Sequence, residues 1–589
     1  MLKVIYCTAH WVEKITELEL EEQIAFFQRY VGVDKVYVEA FRDVQASREQ
    51  VALCKKVFEK HGITVAGGIT TITSDLNTDE DKKRQRLFNT FCYSNERMRE
   101  HLKKMVEYTA EQYDEFIIDD FFFTQCTCED CQKEKGNRSW EAFRLEKMRE
   151  VSENLVIKPA KAVNPKVKIT IKYPNWVESF QETGYNPAQQ KDMFDMLYTG
   201  TETRHPSQTD QHLPRYLSYS IMRFFENTAP GRNGGGWFDA FECYPIDSYL
   251  EQAYLTAFAK PRELMLFCWP LLYKNKVVTP LGLQVHAINT IIERVGTPFG
   301  VPVYLPHNAQ GEDHLEDYLG MLGIPFEPTP DFPADHTKVF LTVQALKDPD
   351  IIAKLTAFLT KGGTAIVSSG FMREALDKAV GIEALTSIRS RNRFICADEY
   401  HIIPANSHSM IHRTSAAKTV FPLLEHRNNA SWSFINAGSG DFHASILLRD
   451  TYGTGELYTL VVPDNYSALK ELPQDVLTRI RALFSQGIYL SIASETRAQV
   501  SLFTYTHGAC GLYSYTDDGC SPETVRIHIA GKIETLHVLP GSSLLSPLTP
   551  IKALYTTEHE SIFEVPTEPG SFTFFQFSSI NRSAEAVQE

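Results

Sequence analysis

The sequence predicts an α/β chain that opens as a (β/α)8 barrel and continues through a smaller doubly wound α/β domain into a short all-β domain. Three observations predict it. Short apolar runs alternate with longer amphipathic stretches over the first ~290 residues, eight runs in all, which is the pattern of a (β/α)8 barrel with its site at the C-terminal ends of the strands. The pattern restarts after Gly300. From about Ser494 it changes to short alternating runs separated by Gly, Pro, Asn and Asp.

The eight predicted strands are Lys3–Thr8, Lys35–Phe41, Thr64–Thr71, Glu115–Phe123, Lys166–Tyr173, Met193–Thr199, Gly236–Glu242 and Glu263–Trp269. Helical patterns lie between them, as at Ile15–Tyr30 with Leu18, Ile24, Phe26 and Phe27, and at Asn95–Tyr113. A doubly wound open sheet is the alternative arrangement of the same elements. The second domain, residues 299–493, is read from Val301–Leu305, Lys338–Leu341 and Thr364–Ser368, with helices around Asp313–Leu322 and Asp348–Leu359. Its sheet resumes at Leu457–Val462 and its last helix is Gln474–Phe484. The intervening stretch near 382–447 reads as an irregular insertion. Residues 494–580 form the third domain, with strands at Gln499–Tyr505, Gly511–Tyr515, Thr524–Ala530, Lys532–Leu539 and Ser571–Phe577, and Asn581–Glu589 is a frayed tail.

The chain has 589 residues, 43% hydrophobic and 23% charged, which is a globular balance. Its net charge of −15 and the lack of a dense basic run argue against nucleic acid as a partner. No run approaches the roughly 18 apolar residues of a membrane span. Met1–Lys14 reads as a strand without the apolar core of a signal peptide, so a cytoplasmic protein is expected, or a periplasmic one if an export signal has been removed.

Eleven cysteines are too sparse for a disulfide scaffold, but three of them cluster as Cys126-x-Cys128-x2-Cys131 on a polar loop after the fourth strand. Zinc takes four N/S ligands in a tetrahedron, and Cys92, just before the helix that leads into that strand, is the candidate for the fourth. Free thiols or a redox pair are the competing readings. A site closed by four thiolates contributes folding energy and does not activate water, so a structural zinc is expected.

Asp119 and Asp120 interrupt the apolar run Phe116–Phe123, where an unpaired carboxylate is costly to bury. At a barrel strand's C-terminal end this points to a carboxyl whose pKa its apolar neighbours raise, as a general acid needs. Strand alternation implies that only one of the two faces the site. Glu242 closes the seventh strand, and alternation turns Asp239, three residues earlier, to the opposite face. Two carboxyls on facing strands suit glycoside cleavage. Other strand-end residues that suit a sugar pocket are His10, Trp11, Glu39, Arg42, Asn175, Trp176, Arg204, His205, Trp237 and Trp269, with Glu202 as the rival second carboxylate.

The order of these motifs resembles that of the family 42 glycoside hydrolases, the zinc-containing β-galactosidases. Cys92-Tyr93-Ser94-Asn95 is similar to that family's first zinc cysteine, and Cys126, Cys128 and Cys131 to its C-x-C-x2-C. Asp120 falls near its acid/base, although that family has Asn-Glu where this chain has Asp119-Asp120. Glu242-Cys243-Tyr244-Pro245 resembles the E-x-x-P that carries its nucleophile. The resemblance implies a flavodoxin-like trimerisation-type second domain, a C-terminal β-sandwich and a homotrimer; the family 164 β-mannosidases share that plan. The reading is therefore a retaining exo-acting β-glycosidase of β-galactoside or β-mannoside type, with Asp120 as acid/base and Glu242 as nucleophile. The alternatives are a carbohydrate-binding relative that has lost catalysis, and a zinc-dependent hydrolase, which would need an open metal site.

Overall fold

The computed structural model describes residues 1–73, 87–243, 246–275, 278–402, 412–426, 433–493, 499–516, 524–542 and 550–577. Tyr244 and Pro245 of the E-x-x-P motif and the tail Asn581–Glu589 lie outside the described residues. The chain divides into two units, Met1–Ile292 and Glu293–Glu589.

The first unit is a closed barrel of eight parallel strands: β1 (Leu2–Cys7), β2 (Lys35–Arg42), β3 (Thr64–Thr70), β4 (Glu115–Ile118), β5 (Lys168–Tyr173), β6 (Met196–Gly200), β7 (Asn233–Asp239) and β8 (Glu263–Phe267). Each pairs with its neighbours, and β1 pairs with both β2 and β8, which closes the ring and excludes the open-sheet alternative. Two of the helices between strands begin at clear side-chain caps: at Thr16, where a reciprocal capping box opens Glu17–Tyr30, and at Asn95, which opens Glu96–Gln112.

Large side chains fill the barrel. Val4, Tyr6, Tyr37, Ala66, Ile117, Tyr198, Trp237 and Met265 form one buried cluster. The ring admits its tyrosines because facing positions are glycine: a Cβ on Gly68 would lie 2.5 Å from Tyr6 Oη. Toward the N-terminal end of the strands, Lys35 Nζ donates to Glu115 at 2.6 Å and Glu263 at 2.8 Å and lies 3.0 Å from Tyr37 Oη. This part-buried polar knot lies at the end opposite the strand ends that form a barrel's site.

In the second unit five parallel strands, Val301–Tyr304, Phe326–Thr329, Lys338–Leu341, Thr364–Ser368 and Gly455–Leu460, lie in the order second, first, third, fourth, fifth, which is the flavodoxin-like winding. Phe326–Thr329 escapes a sequence reading because Pro328 and flanking polar residues mask it. The stretch expected to be irregular holds four antiparallel strands, Ile388–Ile402, His412–His426, Ser433–Ser439 and Phe442–Tyr452, that extend the same sheet. Their charged and polar residues alternate along half-exposed strands, which hides the hydrophobic signal.

The C-terminal strands form two further sheets. One contains Val500–Tyr505, Ala509–Ser514 and Phe572–Gln576, and the other Leu490–Ile492, Thr524–Ala530 and Glu560–Pro566. Both supply one core, with Val500, Leu502, Leu512 and Phe575 from the first and Val525, Ile527, Phe563 and Val565 from the second, as in a sandwich. Among the described residues no helix is long and apolar enough to cross a membrane.

Candidate active site

The C-terminal strand ends of the barrel surround a cavity of about 610 Å3. Its floor is an ionic network on two cations. From β2, Arg42 lies over Glu39, with Nε 3.0 Å from both carboxylate oxygens, and reaches Asp119 Oδ2 with Nη2 at 2.5 Å. Glu39 is fully buried and also accepts from Tyr6 Oη at 2.7 Å, Thr70 Oγ1 at 2.5 Å and the Ala9 amide at 2.8 Å. With its lone pairs committed, Glu39 positions Arg42 beneath the cavity and does not line it.

The second cation is Lys172, on β5. Its Nζ donates to Asp120 at 2.6 Å and Glu202 at 2.9 Å, stands 3.6 Å from Asp119, and lies 4.3 Å from the centre of the Trp237 ring. The two short contacts to one nitrogen keep the Asp120 and Glu202 oxygens within about 5.5 Å of each other. Gly200 makes room for this arrangement, since a Cβ there would lie 2.6 Å from Glu202 Oε2. Asn175 Nδ2 donates to the Glu202 carbonyl at 2.7 Å and fixes the loop after β6.

Two adjacent aspartates thus reach one cavity. β4 ends at Ile118, the Asp119 amide makes a last ladder-like bond to the Ile69 carbonyl, and the chain then turns, with the Phe122 amide returning to the Asp119 carbonyl. Alternation past Ile118 therefore does not apply, and the expectation that only one acid faces the site is corrected.

Their environments separate their proton affinities. Burial opposes ionisation of Asp119, but Lys172 and Arg42 outweigh it and hold its carboxyl down at about 2. Burial pushes Asp120 up to about 8, because the negative charges of Asp119 and Glu202 reinforce it against the pull of Lys172. Burial likewise raises Glu202 against Lys172, with Asp239 adding to the effect. The two neighbours are therefore pushed in opposite directions, Asp120 toward its protonated form and Asp119 toward its carboxylate.

On the far rim Arg204, which follows β6, grips Asp239 with Nε at 3.2 Å and Nη2 at 2.9 Å and reaches Glu242 at 3.4 Å. Asp239 is the last residue of β7 and lines the cavity with Trp237 and Phe241, each two residues from the next. The expectation that Asp239 faces away is corrected: Trp237 faces the interior, so alternation brings Asp239 with it. The strand stops there, and Glu242 stands in a turn at φ 53°. Its side chain is 45% exposed against 7% for Asp239, and it is not among the cavity's walls.

Of the other predicted residues, His10, Arg42, Asn175, Trp176, Glu202, Arg204 and Trp237 line the cavity with both aspartates. Trp269 does not: it is fully buried, packed 4.2 Å from the Phe27 ring, with Nε1 donating to Gln23. Trp11 stacks beside it at 5.8 Å, and His205 accepts from the Ser207 amide in the loop after β6, so neither reaches the cavity wall. Lys172 was missed, although a lysine closing the apolar run Ile169–Ile171 is a recognisable signal. Phe88, Phe121 and Phe267 were also missed and give the cavity aromatic walls.

Beside the barrel, Cys92, Cys126, Cys128 and Cys131 converge, with all four sulfurs within 4.8 Å of one another. Cys92 Sγ is 3.8 Å from Cys128 Sγ and 3.6 Å from Cys131 Sγ. A tetrahedral ion with metal–sulfur bonds of about 2.3 Å has sulfur–sulfur edges of about 3.8 Å, so the four side chains fit such an ion as they stand. All four positions are protein thiols, which leaves no place for a metal-bound water.

Comparison with known proteins agrees with the barrel. Residues 2–282 match the family described as probable glycosyl hydrolase, catalytic domain. That match spans the barrel, which is therefore similar to a glycosyl hydrolase catalytic domain. Residues 296–465 match a family described as the second domain of the uncharacterized protein SSO3021. That protein, from Saccharolobus solfataricus, is 28% identical over 365 residues, which cover 55% of this chain and 59% of its own length. Among solved structures, α-L-fucosidase isoenzyme 2 from Paenibacillus thiaminolyticus shares the fold with a TM-score of 0.69 over 98% of this chain and 100% of its own, at 12% identity. A β-galactosidase from Bacillus circulans sp. alkalophilus follows at 0.63 over 96% and 99%, at 11% identity. The chain therefore shares its fold with both over nearly its whole length, and not over the barrel alone.

Proposed function

We propose that the protein is an exo-acting, retaining glycosidase that removes terminal sugars from oligosaccharides or glycosides. The observation that carries this reading is one cavity that holds both a carboxyl pushed toward its protonated form, Asp120, and a second carboxyl gripped by an arginine, Asp239. Asp120 gives its proton to the departing glycosidic oxygen. Asp239 attacks the anomeric carbon to form the glycosyl-enzyme, and Asp120 then takes a proton from the incoming water. Asp239 takes this role in place of Glu242 because it lines the cavity. Arg204 orients it, and Lys172 and Arg42 hold the Asp119–Asp120 pair.

A cavity of about 610 Å3 suits a terminal sugar better than the interior of a polymer. The Trp176, Trp237 and Phe267 rings suit the apolar C–H face of a pyranose, and Arg42, Asn175 and His10 suit its hydroxyls. β-Galactosides and β-mannosides remain the proposed substrates, and the fold shared with a fucosidase places α-L-fucosides beside them in the test. The four-cysteine cluster is proposed to hold a structural zinc, which would pin the loop after β4 that carries Asp120; metal analysis should find one zinc at that cluster. The assembly is proposed to be a homotrimer, which sedimentation at micromolar concentration tests.

The deciding experiment is turnover of nitrophenyl β-galactoside, β-mannoside and α-L-fucoside, with opposite anomers as controls, by wild type, Asp239→Asn and Glu242→Gln. Product configuration is read by NMR. Activity lost in Asp239→Asn and regained with azide as a glycosyl azide supports the assignment. Activity kept there and lost in Glu242→Gln moves the nucleophile to Glu242, and an inverted product refutes retention.

A further inference from the structure

The antiparallel extension of the second unit brings together three side chains that the glycosidase reading does not use. Strand Ile388–Ile402 pairs with Ser433–Ser439, placing Glu399 opposite Gly438 and His401 opposite Asn436. Ser433–Ser439 pairs in turn with Phe442–Tyr452, placing His443 opposite the same Gly438. Glu399 and His401 are two residues apart and share a face, and His443 joins them from two strands away.

Gly438 makes this meeting possible. A Cβ there would lie 2.0 Å from the Phe442 carbonyl oxygen and 2.8 Å from Cδ2 of the His443 ring, so any other residue would fill the gap across which Glu399 and His443 face each other. The His401 and His443 rings stack at 4.1 Å with 24° between their planes. One ligand atom from each of the three residues lies within 4.8 Å of the other two, and His443 Nε2 is 3.7 Å from Glu399 Oε2. That separation is longer than a hydrogen bond. It is within a few tenths of an ångström of the ~3.4 Å ligand–ligand edge that metal–ligand bonds of about 2.0–2.2 Å give in a tetrahedron.

We propose that Glu399, His401 and His443 form a second metal site, distinct from the cysteine cluster, for a divalent first-row transition ion of the zinc class. Two imidazoles and one carboxylate are the donor set such ions take. The ion pins three strands of the extension, and its fourth position is open to water or an outside ligand. The site stands independently of the glycosidase reading.

The test is equilibrium dialysis of the full chain against Zn2+ buffered at micromolar free concentration, with metal counted per chain. Wild type should carry one more zinc than His443→Ala and His401→Gln, whatever the cysteine cluster holds. Co2+ in the same site should show the absorption of nitrogen and oxygen ligands, lost in both variants while any thiolate bands stay. The glutamine variant keeps the bulk of the side chain if the alanine variant fails to fold, which circular dichroism reports. Equal zinc counts in wild type and a folded variant, or Co2+ bands that belong to thiolates alone, overturn the proposal.

Discussion

Glu202→Gln should lower the pH at which Asp120 loses its proton, by an amount the geometry sets. Lys172 Nζ is 2.6 Å from Asp120 Oδ2 and 2.9 Å from Glu202 Oε1, so the two carboxylates interact across at most about 5.5 Å. At an effective dielectric constant of about 20 their repulsion is about 3 kcal/mol. That corresponds to about two pKa units. The Glu202 charge raises the Asp120 pKa, so removing it lowers that pKa, from about 8 to roughly 6. Glutamine keeps the shape and frees Lys172 to favour the Asp120 carboxylate, which acts in the same direction. The assay is kcat/KM against pH on whichever nitrophenyl glycoside is turned over, where the alkaline limb reports loss of the general acid. 13C NMR of carboxyl-labelled aspartate follows the same titration in a variant too slow to assay. An alkaline limb and an Asp120 titration that both stay near 8 would refute the reasoning, and so would a shift to higher pH.

Lys172→Met should cost about 3–5 kcal/mol of folding stability, because it leaves buried carboxylates without their shared cation; chemical denaturation reads this, and a loss under 1 kcal/mol would contradict it. Asp119 has a folded-state pKa of about 2 against an ordinary 3.8, so it contributes about 2 kcal/mol that is fully present above its unfolded value and disappears as pH falls through 2. Asp120 has the opposite sign: its raised pKa makes folding less favourable as pH rises from 3.8 toward 8, so Asp120→Asn should lose activity yet resist alkaline denaturation better than wild type. Cys131→Ser should lower the metal content at the cysteine cluster and the Tm together, whereas Cys396→Ser, at an exposed cysteine outside the cluster, should change neither.

The barrel was legible because eight apolar runs at helical spacing have few other ways to bury both faces of a parallel sheet. The cysteine cluster was legible for a similar reason, since three thiols within six positions of a polar loop have little role in packing. The second unit's antiparallel strands were not, because their half-exposed faces are written in charged and polar residues that read as loop.

Within the site, sequence reasoning erred wherever it extended a strand past its real end. β4 stops at Ile118 and β7 at Asp239, so alternation misassigned Asp119 and Asp239, and it was the turn after β7 that placed Glu242 in solvent. By itself the sequence determined the residue types at each strand end, because local periodicity and apolar content fix where strands run. Which carboxyls share Lys172, which is gripped by Arg204, and therefore which one keeps its proton, only the tertiary structure decided. Proton affinity depends on burial and on charges a few ångströms away, and those neighbours are brought together by closure of the barrel from positions dozens of residues apart.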